Sequence, residues 1–172
     1  MAGSVTLQTS AAASDLTAAQ WRAAMGCFPS GVTVVTTWDS DKPVGTTVNA
    51  FCSVSLEPPL ILVCLARTAN CYPVFTTCRR FAVSVLADHH HDVARRFATK
   101  QEDKFEGTAF TSAAHSLPAV EGALCVLSCD IEDLVDAGDH AILLGRVYHA
   151  RVRQGTPMIY YNSTFHQLSR ED

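Results

Sequence analysis

Residues 46–60 read TTVNAFCSVSLEPPL, a stretch that begins like a β-strand and ends in a Glu-Pro-Pro break. Taken with a period of two, one face carries Thr47, Asn49, Phe51, Ser53 and Ser55. The other face carries Val48, Ala50, Cys52, Val54 and Leu56 and is expected to face the core. The first face is a row of short, uncharged donors and acceptors on a rigid element. Such groups suit a flat heterocycle edged with carbonyl oxygens and ring nitrogens, or the hydroxyls of a sugar-like chain. The same pattern also fits a half-buried strand that turns its hydroxyls to water.

Other chemistries find less support. His89, His90 and His91 are consecutive. On a helix they point about 100° apart and do not converge on one ion, so the plain expectation is a solvent-facing helix start. His140 and His149 lie far along the chain, so zinc would need distant convergence. No G-x-S-x-G elbow is present, and no cysteine has an evident electropositive setting for a nucleophile. No G-x-G-x-x-G follows a strand, and no G-x-x-x-x-G-K-[ST] occurs. A bound dinucleotide would have to be held without the Rossmann device.

The elements that would position these residues are legible in outline. Thr17 with Gln20 resembles a capping box for an N-terminal helix whose buried stripe is expected to be Leu16, Trp21 and Met25. VTVVTTW is a β-branched strand, DSDKP a turn, and LILVCLA a continuously apolar strand. NCYPVFTTC is a short helix if Pro73 lies in its first turn. RFAVSVLA is a strand, and Asp88 is a candidate cap for the helix HHHDVARRFA. Residues 99–118 read as polar and irregular. ALCVLSCDIEDLVDA and HAILLGRVYHARV are two long strands separated by Gly-Asp, and TPMIYYN is a last strand. About seven strands with a few short helices and no strict alternation fit an antiparallel barrel better than a doubly wound parallel sheet.

At 172 residues the chain is sized for one domain, expected over residues 15–172 after a disordered lead-in at 1–14. The net charge of −4 gives no electrostatic reason to expect nucleic acid or an anionic membrane as partner. No apolar run approaches the roughly 20 residues of a membrane helix, and the N-terminus lacks a secretory pattern. The cysteine count is odd, seven, with no C-x-x-C pair, which implies reduced thiols acting as small core hydrophobes in a cytoplasmic protein.

Six segments occur in the order and spacing of one family. They are FPSGVTVVTTW, GTTVNAFCSVSLEPPLILVCLARTAN, RFAVSVLA, RRFA with DKFEG, LPAVEGALCVLSCDIEDLVDAGDHAILLGRV, and PMIYYNSTFHQL. Together they resemble the short-chain flavin reductases, the reductase components of two-component flavin-dependent monooxygenases, over nearly the whole chain. The resemblance implies a mainly β, antiparallel split β-barrel that works as a homodimer. It implies reduction of FAD or FMN by NADH or NADPH, with hydride passing from nicotinamide C4 to flavin N5. The reduced flavin then diffuses to a partner monooxygenase. FAD is slightly favoured because bacterial relatives of this type often accept it. NADH is favoured over NADPH because no arginine cluster presents itself for a 2′-phosphate.

Residue by residue, the resemblance implies that Thr46, Thr47, Val48, Asn49 and Ala50 line the isoalloxazine edge and ribityl chain. Ser53 and Ser55 follow, and Glu57-Pro58-Pro59 forms the turn. Ala66, Arg67 and Asn70 match the phosphate-side loop. Many relatives carry Ser or Thr where this chain has Ala69 and Cys71, so Arg67, Asn70 and backbone amides must do more there. Lys104 matches a phosphate contact and Phe105 a ring contact; a surface lysine beside a core phenylalanine is the competing account. Gly138, Asp139 and His140 form the turn that brings a histidine to flavin and nicotinamide, where His140 is the catalytic candidate; the pair could instead only lock a hairpin. Tyr160, Tyr161 and Phe165 match an aromatic tail motif or serve as ordinary core and dimer contacts. Two other functions stay open: a non-catalytic flavin-binding or flavin-storing protein of the same fold, and an unrelated small-ligand barrel.

Overall fold

The computed structural model describes residues 16–168, so the lead-in expected at 1–14 lies outside the described residues. α1 (Ala18–Gly26) starts where the sequence places it. The Gln20 amide donates to Thr17 Oγ1 at 3.2 Å, and the Thr17 amide donates to Gln20 Oε1 at 2.9 Å, completing the capping box. β1 (Ser30–Gly31) and β2 (Thr33–Asp39) follow, and β2 turns through Ser40 and Asp41 into β3 (Lys42–Val48). β4 (Phe51–Ser55) and β5 (Leu60–Ala66) form the next pair. The short α2 (Tyr72–Phe75) carries Pro73 in its first turn, where the missing N–H costs nothing.

β6 (Arg80–Val85) leads to α3 (His91–Ala98), and β7 (Phe110–Ser112) pairs with β8 (Pro118–Val120). The long hairpin of β9 (Cys125–Ala137) and β10 (His140–Val152) closes through Gly138-Asp139, with Gly138 at φ +63°. Glycine takes that left-handed position without a Cβ penalty. β11 (Met158–Tyr161) and β12 (Thr164–Gln167) form a final hairpin beside β1.

Seven strands make one antiparallel sheet in the order β3-β2-β6-β9-β10-β5-β4. Its two edge strands, β3 and β4, are consecutive in the chain and joined only by Asn49-Ala50. The sheet must therefore curl until its edges meet without pairing, and the result is a split barrel. The barrel interior holds Val35, Val63, Phe81, Cys129 and Leu143. A second apolar cluster outside it packs Val34, Leu86, Phe97, Val126 and Met158 under α3 and β8. β2 gives Val35 to one cluster and Val34 to the other, which explains its unbroken β-branched run. The buried threonines of that strand, Thr33, Thr36 and Thr37, donate their hydroxyls to the carbonyls of Val48, Pro118 and Arg80.

Several expectations fail for identifiable reasons. The expected single strand over residues 46–56 breaks at Asn49-Ala50, where the chain passes from one sheet edge to the other. Past the break the expected core face is uncovered: Val54 is 48% and Leu56 91% exposed. The apolar face of α1 is uncovered too, with Leu16, Trp21 and Met25 each about half exposed and no residue of the helix buried. Asp88 does not cap α3; His90 occupies the cap position without a side-chain cap bond. The expected solvent-facing histidine run holds one buried member, His90. All seven cysteines are free, yet Cys27 and Cys52 are exposed rather than core. The irregular stretch after α3 contains the β7–β8 hairpin, which lacks a strong periodic signal because each strand has only three residues.

Candidate functional site

The edge-to-edge crossing at Asn49-Ala50 creates the first part of the site. A cavity of about 180 Å³ lies there, lined by Val32, Thr47, Asn49, Ala98, Tyr160 and Phe165. Four of these six are residues singled out in the sequence. β3 supplies Thr47, and the β11–β12 register sets Tyr160 opposite Phe165, with ring centroids 5.6 Å apart. Thr47 Oγ1 donates to Ala94 O of α3 at 2.7 Å, which fixes the hydroxyl and leaves its lone pairs as acceptors. Thr46 Oγ1 donates to Phe97 O at 3.4 Å. Asn49 reaches only Ser30 Oγ at 3.5 Å, so most of its amide capacity is unspent. A neighbouring hollow of about 250 Å³ shares Asn49 and Tyr160 and is walled by Trp21, Met25 and Phe28. Tyr161, one residue on, points the other way and is 42% exposed.

The second part is the β9–β10 turn. Ala50 O accepts the Cys64 amide at 3.0 Å. Ala66 lies two residues further along β5, about 7 Å on at strand rise, and pairs with His140. The Arg67 amide donates to Asp139 O at 3.0 Å, and its guanidinium meets Asp136 at 2.5 Å. Thus Ala66, Arg67, Gly138, Asp139 and His140 share one corner near the strand crossing. His140 Nδ1–H donates to Asp139 Oδ1 at 2.7 Å, and that bond holds the Asp139 carboxyl below the usual carboxylate range. Nε2 is left for other work: it accepts from a ligand when the ring is neutral and donates only as imidazolium.

The third part is a cleft of about 480 Å³ between the β2–β3 hairpin, the loop after β5 and the loop after α3; Lys42, Asn70, Cys71, Gln101, Lys104 and Phe105 are among its walls. Ala69, whose amide donates to Ala66 O, ties it to the corner above. Asn70 Nδ2 donates to Lys100 O at 2.9 Å. Lys104 is not a surface residue: it is buried, and Nζ donates to Gly45 O at 3.2 Å and Phe97 O at 3.1 Å. One of its three N–H groups remains unspent. Burial lowers its pKa. Phe105 packs edge-on to Phe97 with centroids 4.9 Å apart.

The two serines of β4 stand outside these groupings. Ser55 Oγ donates to Pro58 O at 2.6 Å and serves the turn, and Ser53 is exposed on the edge strand. Val48 is buried in the barrel, so only its backbone is available to a ligand.

The arrangement favours binding a neutral aromatic ring over nucleophilic attack. Burial pushes the thiols of Cys64, Cys71 and Cys78 up, and that of Cys129 to about 12, so none of these four is a ready thiolate. Among the described residues no group of three His, Cys, Asp or Glu side chains is placed to hold a metal ion. Residues 25–169 match a family described as the flavin reductase like domain. The chain belongs to this family.

Its relatives agree in sequence and shape. The actinorhodin polyketide dimerase of Streptomyces coelicolor is 48% identical over 86% of this chain and 84% of its own length. The reductase subunit HsaB of a flavin-dependent monooxygenase from Rhodococcus jostii is 33% identical over 94% of this chain and 83% of its own. The NADH:FAD oxidoreductase SgcE6 of Streptomyces globisporus, solved with NAD and FAD fragments, superposes with a TM-score of 0.84 at 38% identity, covering 88% of this chain and 92% of that one. Some relatives are longer, and the chain spans roughly half their length. As a flavin reductase-like protein the chain fits its cofactor chemically: Thr47, Asn49, Tyr160 and Phe165 offer neutral polar edges and aromatic faces at one cavity.

Sequence reasoning missed Ala98, Val32 and Ser30 in this site. An alanine at a helix end and a valine before a strand carry no local signal. Their role comes only from α3 and β1 folding against the strand crossing.

Proposed function

We propose that this chain is an NADH-dependent flavin reductase, with FAD favoured over FMN, that acts as a homodimer and delivers reduced flavin to a partner flavin-dependent monooxygenase. The observation that carries the reading is the gathering of Thr47, Asn49, Tyr160 and Phe165 around one cavity at the strand crossing. The flavin, when bound, supplies the redox chemistry, accepting hydride from the nicotinamide. The residues of this chain bind and orient. Thr47, fixed by α3, and Asn49, with its amide unspent, meet the polar rim of a ring. Tyr160 and Phe165 give it an aromatic wall. His140, oriented by Asp139, presents Nε2 to the nicotinamide: the neutral ring accepts an N–H of its amide, and the imidazolium form donates to negative charge developing on the flavin. Arg67, Asn70 and the unspent N–H of Lys104 serve phosphate oxygens of the nucleotide, with Lys104 acting from beneath the cleft.

The dimer is supported by uncovered apolar groups: Trp21, Met25 and Phe28 on one side, Val54 on β4 and Leu56 just past its end on the other. Phe28, Trp21 and Met25 also wall the hollow next to the cavity, so a second copy would complete the site's enclosure. Delivery to a partner oxygenase is supported by the likeness to HsaB, a reductase subunit of a flavin-dependent monooxygenase, and the use of NADH and FAD by the likeness to SgcE6, an NADH:FAD oxidoreductase. Among the described residues no helix is long and apolar enough to cross a membrane.

The test is steady-state NADH oxidation with FAD, FMN and riboflavin compared in parallel, then repeated with NADPH. A saturable, flavin-dependent rate that is highest with FAD and NADH is expected. NADH turnover that does not respond to any flavin, or flavin binding without turnover, overturns the reading.

A further inference from the structure

His90 is the middle residue of the histidine run, and nothing above uses it. It is 7% exposed. Its Nδ1 accepts the Ala87 N–H at 3.1 Å, and its Nε2–H donates to Glu121 O at 2.9 Å. Both partners are backbone groups with fixed roles, since an amide only donates and a carbonyl only accepts. The ring is therefore the neutral Nε2–H tautomer. An imidazolium would aim a second N–H at the Ala87 N–H and lose that bond. It would also place positive charge at the first turn of α3, where the helix dipole is already positive.

The groups facing the ring reinforce this. His89 lies against it, tilted by 42° with centroids 4.1 Å apart, Gly122 lies beside its Nε2 edge, where an added Cβ would come to 3.5 Å, and from the loop before β9 the Glu121 carbonyl bonds to it. Burial lowers the His90 pKa most, the Glu121 carbonyl raises it, His89 lowers it and Asp88 raises it. Asp92 follows in the first turn of α3, and His91 turns away to meet Phe165.

α3 in turn shapes the cavity at the strand crossing. Ala94 O takes the Thr47 hydroxyl at 2.7 Å, the His91 ring lies edge-on to Phe165 with centroids 5.5 Å apart, and Ala98 is itself in the wall. The Ala94 amide bonds back to His90 O at 2.9 Å, so the residue that anchors the ring also begins the helix.

We propose that His90 is a positioning residue for the flavin cavity: its uncharged ring pins the first turn of α3 to Ala87 and Glu121, holds Thr47, Ala98 and Phe165 in register, and releases them in acid. This rests on the flavin-reductase reading of that cavity. Protonation breaks the Ala87 bond, frees the start of α3, and loosens flavin binding more than it slows turnover.

The experiment compares wild type with His90→Gln and His90→Phe, measuring flavin KM and kcat at saturating NADH from about pH 8 to about pH 5.5, the range in which histidine titrates. Wild-type KM is expected to rise about fivefold or more toward acid, the size of a lost neutral hydrogen bond, with a smaller change in kcat. His90→Phe should show the raised KM at every pH. His90→Gln, which keeps a donor for Glu121 and cannot titrate, should lie between and be flat. A His90→Phe or His90→Gln enzyme that reproduces the wild-type KM profile overturns the proposal.

Amide hydrogen exchange of residues 91–98 at about pH 7.5, where wild-type His90 is uncharged, gives a readout independent of activity. Protection should fall there in the variants and hold in β9 and β10. If wild type fails to turn over flavin while the variants still lose α3 protection, the flavin-reductase reading fails and the anchoring by His90 stands. Unchanged α3 protection in both variants rejects the anchoring itself. If His90→Phe does not fold, His90→Gln carries both readouts.

Discussion

His140 stands opposite Ala66 in the pairing of β10 with β5, so the turn that orients the histidine also closes over the strand that leads into Arg67. The Arg67 amide bond to Asp139 O makes the junction rigid from both sides. A histidine held this way, with Nδ1 committed to Asp139, has one free nitrogen and one direction in which to use it.

Replacing His140 with alanine is expected to lower kcat for flavin reduction about tenfold or more, less than the ~10²–10³ lost when a donor is removed from a water-excluded site, because this ring is partly exposed. Flavin KM should change little. Steady-state kinetics separate the two parameters; an unchanged kcat would assign Asp139 and His140 to hairpin locking alone.

Lys104→Met removes two charge-assisted bonds and strands Gly45 O and Phe97 O in the interior. A loss of about 2 kcal/mol is expected in urea unfolding, in the range for hydrogen bonds to charged groups. The same variant should raise KM for FAD more than for riboflavin, which has no phosphate for the third N–H. Equal effects on both flavins would limit Lys104 to its structural bonds.

A methyl group at Gly145 would run into the Phe81 ring and come to 3.1 Å from Cys129 Cβ, both in the barrel interior. Gly145→Ala is therefore expected to cost about 1–3 kcal/mol through overpacking. Denaturant midpoints at unchanged m-value would show it, and a stability within error of wild type would mean that the β9–β10 pairing, whose register shifts between Leu144 and Gly145, relaxes freely.

Leu56→Asp and Trp21→Asp place charge on the two uncovered apolar faces. Light scattering on wild type should give twice the chain mass, and each variant should shift toward the single-chain mass with loss of flavin affinity. Wild type running as a monomer at micromolar concentration would dismiss the dimer.

Stability should also depend on pH through His90. Its folded pKa lies below the ordinary 6.5, so the unfolded chain binds more protons in the window beneath that value. The contribution is fully present above about pH 6.5 and is lost as pH falls through the folded value. The melting temperature of wild type should drop more steeply below pH 6.5 than that of His90→Gln; parallel curves would remove His90 as the cause.

What the sequence discloses here is what is decided locally. The Thr17–Gln20 box, Pro73 in its first turn and the Gly138-Asp139 hairpin all depend on neighbours within a few residues. The mainly antiparallel barrel follows from many such segments in series. An apolar period, by contrast, says that a face needs cover and not where the cover comes from. Trp21, Met25, Val54 and Leu56 have the pattern of core residues and lie at the surface of the single chain. Lys104 and His90 are the converse: polar types that composition places outside, drawn inward by backbone carbonyls and amides whose positions only the fold sets. Thr47, Asn49, Tyr160 and Phe165 come together through the β11–β12 register and the strand crossing. Ser55, of the same polar row, is spent on its own turn.

The most direct measurement is anaerobic: FAD and NADH are mixed with catalytic amounts of protein, and bleaching of the flavin's visible band is followed. Wild type should bleach free FAD rapidly and with saturation, and Asn49→Leu or Phe165→Ala should need far more FAD for the same rate. Bleaching no faster than in buffer, or a rate indifferent to both substitutions, would contradict a flavin held at the strand crossing.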